Sequence, residues 1–392
     1  MSITTGSKGV WELDQIYAKV NADRYVSYTY DPGTLWAWGD GLYGPLGDGT
    51  QFNRSSPVQI PGTQWSNISG GGGGCGTSGG TSLAIKTDVS LWTWGYNNGG
   101  QLGDGTVNYR SSPVQIPGTQ WTKISGGGTG SVNNSLATKM DGSLWAWGNN
   151  CAGQLGDGTV ISKSIPTQIP GTQWNNIDSG FAYTIATKTD GTLWSWGRNT
   201  SGQLGDGTVT LRSSPVQIPG TQWNTISIAC AHTLATKTDG TLWAWGYNNV
   251  GQLGQSNLIH RSSPVQILGT QWNTISGGGG ASTGGGGASL ATKTDGTLWS
   301  WGNNNSGQLG VISRIHRSSP VQIPGTQWNK ITTGCIHSIA TKTDGTLWAW
   351  GYNCCGQLGD GSISDKSSPI QIPGTQWNNI SSGSYHTLVK KV

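Results

Sequence analysis

Two strings in the chain have the makings of a metal site. Cys230-x-His232 and Cys335-x-His337 each place a thiol and an imidazole on one side of a strand. The two pairs fall two repeats apart and no Cys-x-x-Cys completes either set, so each reads as a small packed thiol beside a hydrogen-bonded histidine. Cys354 and Cys355 are neighbours, a spacing that does not suit an unstrained disulfide, and the six cysteines read as free thiols. Acid–base chemistry fares no better, because the one glutamate, Glu12, precedes the repeated part of the chain and any carboxylate pair would rest on aspartates. Asp48, Asp104, Asp157, Asp206 and Asp360 recur as a potential calcium ring, yet Gln255 and Val311 occupy the equivalent positions and break it. These aspartates, like those of the Thr-Asp-Gly strings, read as turn residues. No catalytic group, metal or cofactor is expected, and the chain reads as non-enzymatic.

The elements that carry these residues repeat. With 66 Gly and 22 Trp in 392 residues and only 10% charged, the chain is too aromatic for disorder and too glycine-rich for helices. Leu-Trp-x-Trp-Gly occurs seven times, its first indole at Trp36, Trp92, Trp145, Trp194, Trp243, Trp299 and Trp348. Gly-Thr-Gln-Trp also occurs seven times, ending at Trp65, Trp121, Trp174, Trp223, Trp272, Trp328 and Trp377, always 29 residues later. Length varies only in the other half of the repeat, where the longer copies hold glycine-rich inserts at Gly70 to Gly74 and Gly277 to Gly287.

A period near 50 residues suits a propeller blade of four short strands. In one copy, Leu234–Lys237 reads as a strand, Thr238-Asp239-Gly240-Thr241 as a tight turn needing positive φ, and Leu242–Trp245 as a strand with both indoles on one face. Ser263–Ile267 reads as an edge strand that tolerates its proline, and Trp272 begins the last strand. The tryptophans are expected to fill the core between blades. The first copy opens on a strand with no partner before it, at Asp31 to Trp36, and the last closes on one with none after it, at Tyr385 to Val392. Joining them would complete a seventh blade and remove the sheet edges. The expected fold is all-β: a closed seven-bladed β-propeller over residues 31–392, with blade closure by the N- and C-terminal strands.

The string Leu-Trp-x-Trp-Gly-x-Asn-x-x-Gly-Gln-Leu-Gly, followed by a Pro-Val strand, resembles the regulator of chromosome condensation repeat, whose family fold is a seven-bladed propeller. Six copies carry it together, and the first is degenerate at Tyr43-Gly44-Pro45-Leu46-Gly47. The resemblance implies a protein-binding regulator, since the founding member is an exchange factor for the small GTPase Ran that also binds chromatin. This chain lacks a charged wedge-like insertion or basic tail. It also has Ala229-Cys230-Ala231-His232-Thr233 where an ultraviolet photoreceptor of the same fold relies on Gly-Trp-Arg-His-Thr.

Where near-identical copies differ, recognition is the natural reason. One variable set follows Trp-Gly: Tyr96, Asn97, Arg198, Tyr247, Asn248, Tyr352 and Asn353. A second follows Gly-Gln-Leu-Gly: Asn108, Tyr109, Arg110, His260, Arg261, His316 and Arg317; the glycine-rich inserts form the third. Tyr, Asn, Arg, Ser and Gly are the residues of adaptable binding loops. Before the propeller, Val10, Trp11, Leu13, Ile16, Tyr17 and Val20 suggest a short amphipathic helix over Trp11 to Asn21, so residues 1–30 read as an anchor or docking segment. The stretch Gly9 to Tyr17 resembles the leader of structural proteins of tailed bacteriophages. Two functional expectations follow. The first is a virion surface component, a tail or capsid fibre or decoration protein, anchored in a larger assembly through residues 1–30 and presenting its loops to a host-surface ligand. The alternative is a cytoplasmic protein-interaction regulator like the exchange factors of this fold. A net charge of +4, which reads as spread almost evenly among the blades, argues against nucleic acid, and no run of apolar residues argues for membrane insertion.

Overall fold

The computed structural model describes residues 33–71, 79–127, 132–279 and 287–391. These form seven four-stranded antiparallel sheets, and no α-helix occurs among the described residues. The helix expected over Trp11 to Asn21 lies outside them, as do all six anchor residues.

Blade 1 is built from both ends of the array. It pairs Leu35–Gly39 and Arg54–Gln59 with His386–Lys391 and Trp377–Ser382, Trp36 standing opposite Val389 and Trp38 opposite Thr387. Blades 2 to 7 follow in chain order. Their inner strands are Trp65–Gly71, Trp121–Gly127, Trp174–Ser179, Trp223–Ile228, Trp272–Gly278 and Trp328–Thr333. Their outer strands are Arg110–Ile116, Lys163–Ile169, Arg212–Ile218, Arg261–Ile267, Arg317–Ile323 and Lys366–Ile372. Closure by the two terminal segments is therefore as expected. One assignment changes: the strand from Trp272 is the inner strand of blade 6, not the last strand of the copy before it. The Leu268-Gly269-Thr270-Gln271 connector carries the chain across to the next sheet, so the sequence period and the blade are out of phase.

The indoles form the core in the way the repeat implied. In blade 5, Trp223 meets Trp243 and Trp245 edge-on, ring centroids 6.1 and 5.9 Å apart. The Lys237 ammonium lies over Trp223 and Trp243, so this repeated lysine is a cation–π clip as well as a turn neighbour. Trp245, wholly buried, packs on Ile185, Leu193, Leu204 and Ile218 of blade 4. Its Nε1 donates to the Gln203 carbonyl of the blade 4 Gly-Gln-Leu-Gly turn at 3.0 Å, and the Thr233 hydroxyl donates to the same oxygen at 2.9 Å.

All seven interfaces repeat this double bond. Trp147, Trp196, Trp301 and Trp350 reach Gln101, Gln154, Gln252 and Gln308, and Trp38 reaches Gln357 across the closing interface. The degenerate first copy keeps it too, because Pro45 has lost only its N–H and its carbonyl still accepts from Trp94. Glycine is required beside the bond: Gly205 has φ +81° and a Cβ there would lie 2.6 Å from the Trp245 Nε1.

Candidate binding face

Because strands alternate in direction, the loops joining inner to second strand share one face with the long loops joining third to outer strand. The two loops are stitched together within each blade, as by Tyr247 N–H to the Ala231 carbonyl and Tyr96 N–H to the Gly80 carbonyl, both 2.9 Å. The variable residues that follow Trp-Gly and Gly-Gln-Leu-Gly thus belong to this face, where the inner strands of blades 2 and 6 end at Gly71 and Gly278. The Asp-Gly turns occupy the other, where Asp239 accepts from the Thr241 backbone and hydroxyl and Gly240 takes φ +77°. Those bonds hold the Asp239 carboxyl below its ordinary range.

Much of the expected binding set is structural. Asn97, Asn248 and Asn353 are fully buried. Asn97 accepts from the Leu102 N–H through Oδ1 at 2.8 Å and donates from Nδ2 to the Thr106 and Asn108 carbonyls, pinning its own loop. Asn248 and Asn353 do the same in blades 5 and 7. Arg110 is committed as well: its Nε and Nη2 grip Asp104 at 2.9 and 2.8 Å. The Asp104 oxygens are filled by Arg110, Thr106 and Asn97, and Arg54–Asp48 and Arg212–Asp206 repeat the pattern. Five copies therefore use this aspartate as a loop clasp rather than a metal ligand.

Of the other members of the set, Asn108, Tyr109, His260 and Arg317 are exposed, Arg198, Tyr247, Tyr352 and His316 are half-buried, and Tyr96 is buried. Tyr109, 41% exposed, stacks on Tyr96 at 5.1 Å, and Tyr43 of the degenerate copy closes an aromatic trio with both. Arg198 lies over the Phe181 ring, and Tyr352 sits 6.1 Å from Tyr385. Tyr247 packs on His260, whose Nδ1 accepts from the Asn248 N–H; the half-buried His316 accepts likewise from Asn304. Arg317 is exposed. Apolar side chains join them on the same loops, among them Val107, Ile161, Leu211, Leu258, Ile315 and Ile363.

The histidines that suggested metal chemistry are buried between blades. His232 bonds Ser289 of blade 6 through Nε2 at 2.8 Å, and His337 bonds Thr387 of blade 1 at 3.2 Å. His386 bonds Ser82 of blade 2 at 3.2 Å. Burial pushes the first two down to about 3 and His386 to about 4, so all three are neutral at pH 7. Cys151, Cys230, Cys354 and Cys355 are free thiols, but Cys335 is disulfide-bonded, which corrects the reading of six free cysteines.

The sequence reading missed the ring at the centre of this face. Four residues after each Gly-Thr-Gln-Trp indole stands Ser69, Ser125, Asp178, Ser227, Ser276, Thr332 or Ser381. Each side chain accepts from a backbone N–H of the next blade: Ser69 from Gly126, Ser125 from Ser179, Asp178 from Ile228, Ser227 from Gly277. Ser276 takes Thr333, Thr332 takes Ser382, and Ser381 closes the circle on Gly70. They line an axial cavity of about 190 Å³ together with small residues of all seven inner strands. Asp178 is the one carboxylate in the ring, and burial lifts it to about 6 despite the bonds from Ile228, Ser125 and Ser179. The constant spacing from tryptophan was the available signal.

These features agree with known proteins. The model of the regulator of chromosome condensation (RCC1) repeat matches residues 90–132, 141–181, 190–236, 239–283, 295–341 and 344–389. Among solved structures, human WBSCR16 superposes with a TM-score of 0.78 at 19% identity, covering 92% of this chain and 98% of that one. Yeast RCC1 (Prp20), crystallised with Kap60 bound, gives 0.77 at 20% identity over 92% and 89%. These two likenesses show the fold. Human E3 ubiquitin-protein ligase HERC2 is 33% identical over 161 residues, and the Arabidopsis thaliana ultraviolet-B receptor UVR8 is 29% identical over 170 residues. Those matches span 40% and 42% of this chain but only 3% and 37% of the relatives. With six matched repeats, a seven-bladed ring and the interlocking tryptophans, this chain belongs to the RCC1 repeat family.

Proposed function

We propose that this protein is a non-catalytic binding module that docks a protein partner on its loop face, in the manner of an interaction regulator. One observation carries the reading. The buried histidines and most aspartates are spent on the fold, whereas the loop face keeps the exposed Tyr109, Arg314 and Arg317 and a set of exposed aliphatic side chains on a rigid ring. That combination favours recognition over reaction. Relatives support it by analogy: yeast RCC1 (Prp20) binds Kap60 in a crystal, and its binding properties toward Gsp1p and histones have been described. A protein rather than a nucleic acid is the expected partner, since at net +4 the arginines of blades 1, 2 and 4 are neutralised by their own aspartates.

The virion reading rests on residues 1–30 as an anchor, and the comparisons support the regulator reading further. One experiment separates the two. The full chain and residues 31–392 are sedimented with lysate or particles of the source. Capture of a soluble protein by both, weakened by substituting Tyr109 and Arg317, supports the regulator. Co-sedimentation with large assemblies that needs residues 1–30 supports the virion component instead, and no association by either form overturns both.

A further inference from the structure

Blades 5 and 6 depart together from the loop design of the other five. The clasp aspartate is Gln255 in one and Val311 in the other. Gln255 turns away to donate to the Gln266 carbonyl, leaving Arg261 Nε buried with no hydrogen-bond partner. The glycine that follows the clasp elsewhere is here Ser256 and Ile312, both held at positive φ, +58° and +67°. A β-branched residue in that region is strained, and Ile312 bears the strain while its N–H keeps, to the Ser367 carbonyl, the bond that a glycine makes in the five clasped copies. Charge departs as well: from Gly240 to Thr343 the chain's one acid is Asp295, which sits in an Asp-Gly turn on the opposite face. The two blades are physically joined at this rim. Ser256 N–H donates to the Ser318 carbonyl at 2.8 Å and Ser256 Oγ meets Ser319 Oγ at 2.9 Å, which sets Arg317 beside the blade 5 loop. Around these arginines Leu258, Ile259, Ile312 and Ile315 are all more than half exposed.

We infer that the joined rim of blades 5 and 6 is a docking surface for an acidic protein segment with apolar side chains flanking its carboxylates. One carboxylate of that segment takes the place at Arg261 Nε that the clasp aspartate fills in blades 1, 2 and 4. A second meets Arg317, and the flanking apolar groups cover Leu258, Ile259 and Ile315. The occupant follows from charge complementarity: Arg261 and Arg317 offer guanidinium donors with no carboxylate of their own, the neighbouring Arg314 being paired with Asp365 of blade 7 at 3.6 Å, in an apolar setting that a protein segment matches and a phosphate backbone does not. This deepens the protein-binding reading above and rests on it.

The test uses the full chain and a short fluorescein-labelled peptide alternating Glu with Leu, read by anisotropy. Wild type is expected to bind it and to reject the Gln/Leu counterpart. Gln255→Asp supplies the missing clasp from within, so it should weaken binding about tenfold, the scale of one charge-assisted hydrogen bond, while thermal stability holds or rises. Joint replacement Arg261→Gln and Arg317→Gln should weaken it at least as much. Unchanged affinity in Gln255→Asp, equal binding of the Gln/Leu peptide, tighter binding of inorganic polyphosphate, or no binding by wild type would each overturn the surface. Capture of a source protein by both wild type and Gln255→Asp alike would also overturn it while leaving the broader reading standing; that broader reading fails only if wild type captures nothing.

Discussion

The blade 2 loop and the blade 5 loop have the same length from Trp-Gly to the outer strand and hold their arginines at the same register, Gly95 opposite Arg110 and Gly246 opposite Arg261. In blade 2 the arginine is gripped by Asp104; in blade 5 it has lost that partner. Both loops keep the buried asparagine, Asn97 or Asn248, and the leucine N–H it accepts from. The loop is therefore held by asparagine, and the aspartate clasp is an addition that one sector has shed. Near-identical repeats make such a loss readable: where one scaffold is written several times, a departure that brings strain and an unpaired donor points to use rather than to folding.

Four measurements break or sharpen this contrast. The largest effect should come from the machinery both loops share. Trp245→Ala removes a wholly buried indole and its bond to Gln203, and should cost about 3–5 kcal/mol in denaturant unfolding. Acidification comes next. His232, His337 and His386 have folded pKa values below the ordinary 6.5, so the unfolded chain binds protons first and stability falls as pH drops from about 6.5 toward 3. Asp178, raised to about 6 from 3.8, has the opposite sign: its contribution is present at low pH and is lost as pH rises through that window. Three groups against one leave a net loss of about 2–4 kcal/mol between pH 7 and 5, and His386→Gln should flatten the curve.

Third, Asp104→Ala should turn the blade 2 clasp into a blade 5 loop by stranding Arg110, while Asn97 keeps its bonds to the Thr106 and Asn108 carbonyls. A cost of about 2 kcal/mol is expected, seen as a lower unfolding midpoint. The smallest effect is a gain. Ile312→Gly relieves a left-handed isoleucine and should raise stability by about 0.5–1 kcal/mol, whereas Gly105→Ile in blade 2 should lose it. No gain from Ile312→Gly would mean that the loop is not strained there.

The ring was legible in the sequence because its determinants are local and repeated: paired indoles at period two, Asp-Gly turns, and unpartnered strands at each end. What period alone did not specify was which sheet each strand joins, since the strand from Trp272 is equally near both blades along the chain. The asparagines of the variable loops looked like contact residues because Asn97, Asn248 and Asn353 stand among differing neighbours; their burial depends on a fold around them that sequence spacing does not display. Charge looked even when counted per copy, yet the clasps neutralise arginine in blades 1, 2 and 4 and leave Arg261 without that partner. The polar ring escaped notice because a serine, threonine or aspartate near a strand end is ordinary until the seven are seen to meet.

That ring of side-chain bonds also acts as a counter. Each member fits only between two neighbours at a fixed angle, and the last, Ser381 on Gly70, forms only when the circle is complete. Near-identical tandem copies invite slippage and unequal exchange in the gene that encodes them. A chain with one copy more or fewer would keep every local contact, yet its two ends would no longer meet at the angle that Leu35 and Lys390 need in order to pair. The geometry of closure thus screens copy number at the level of the folded protein, and lets individual loops drift while the tally stays fixed.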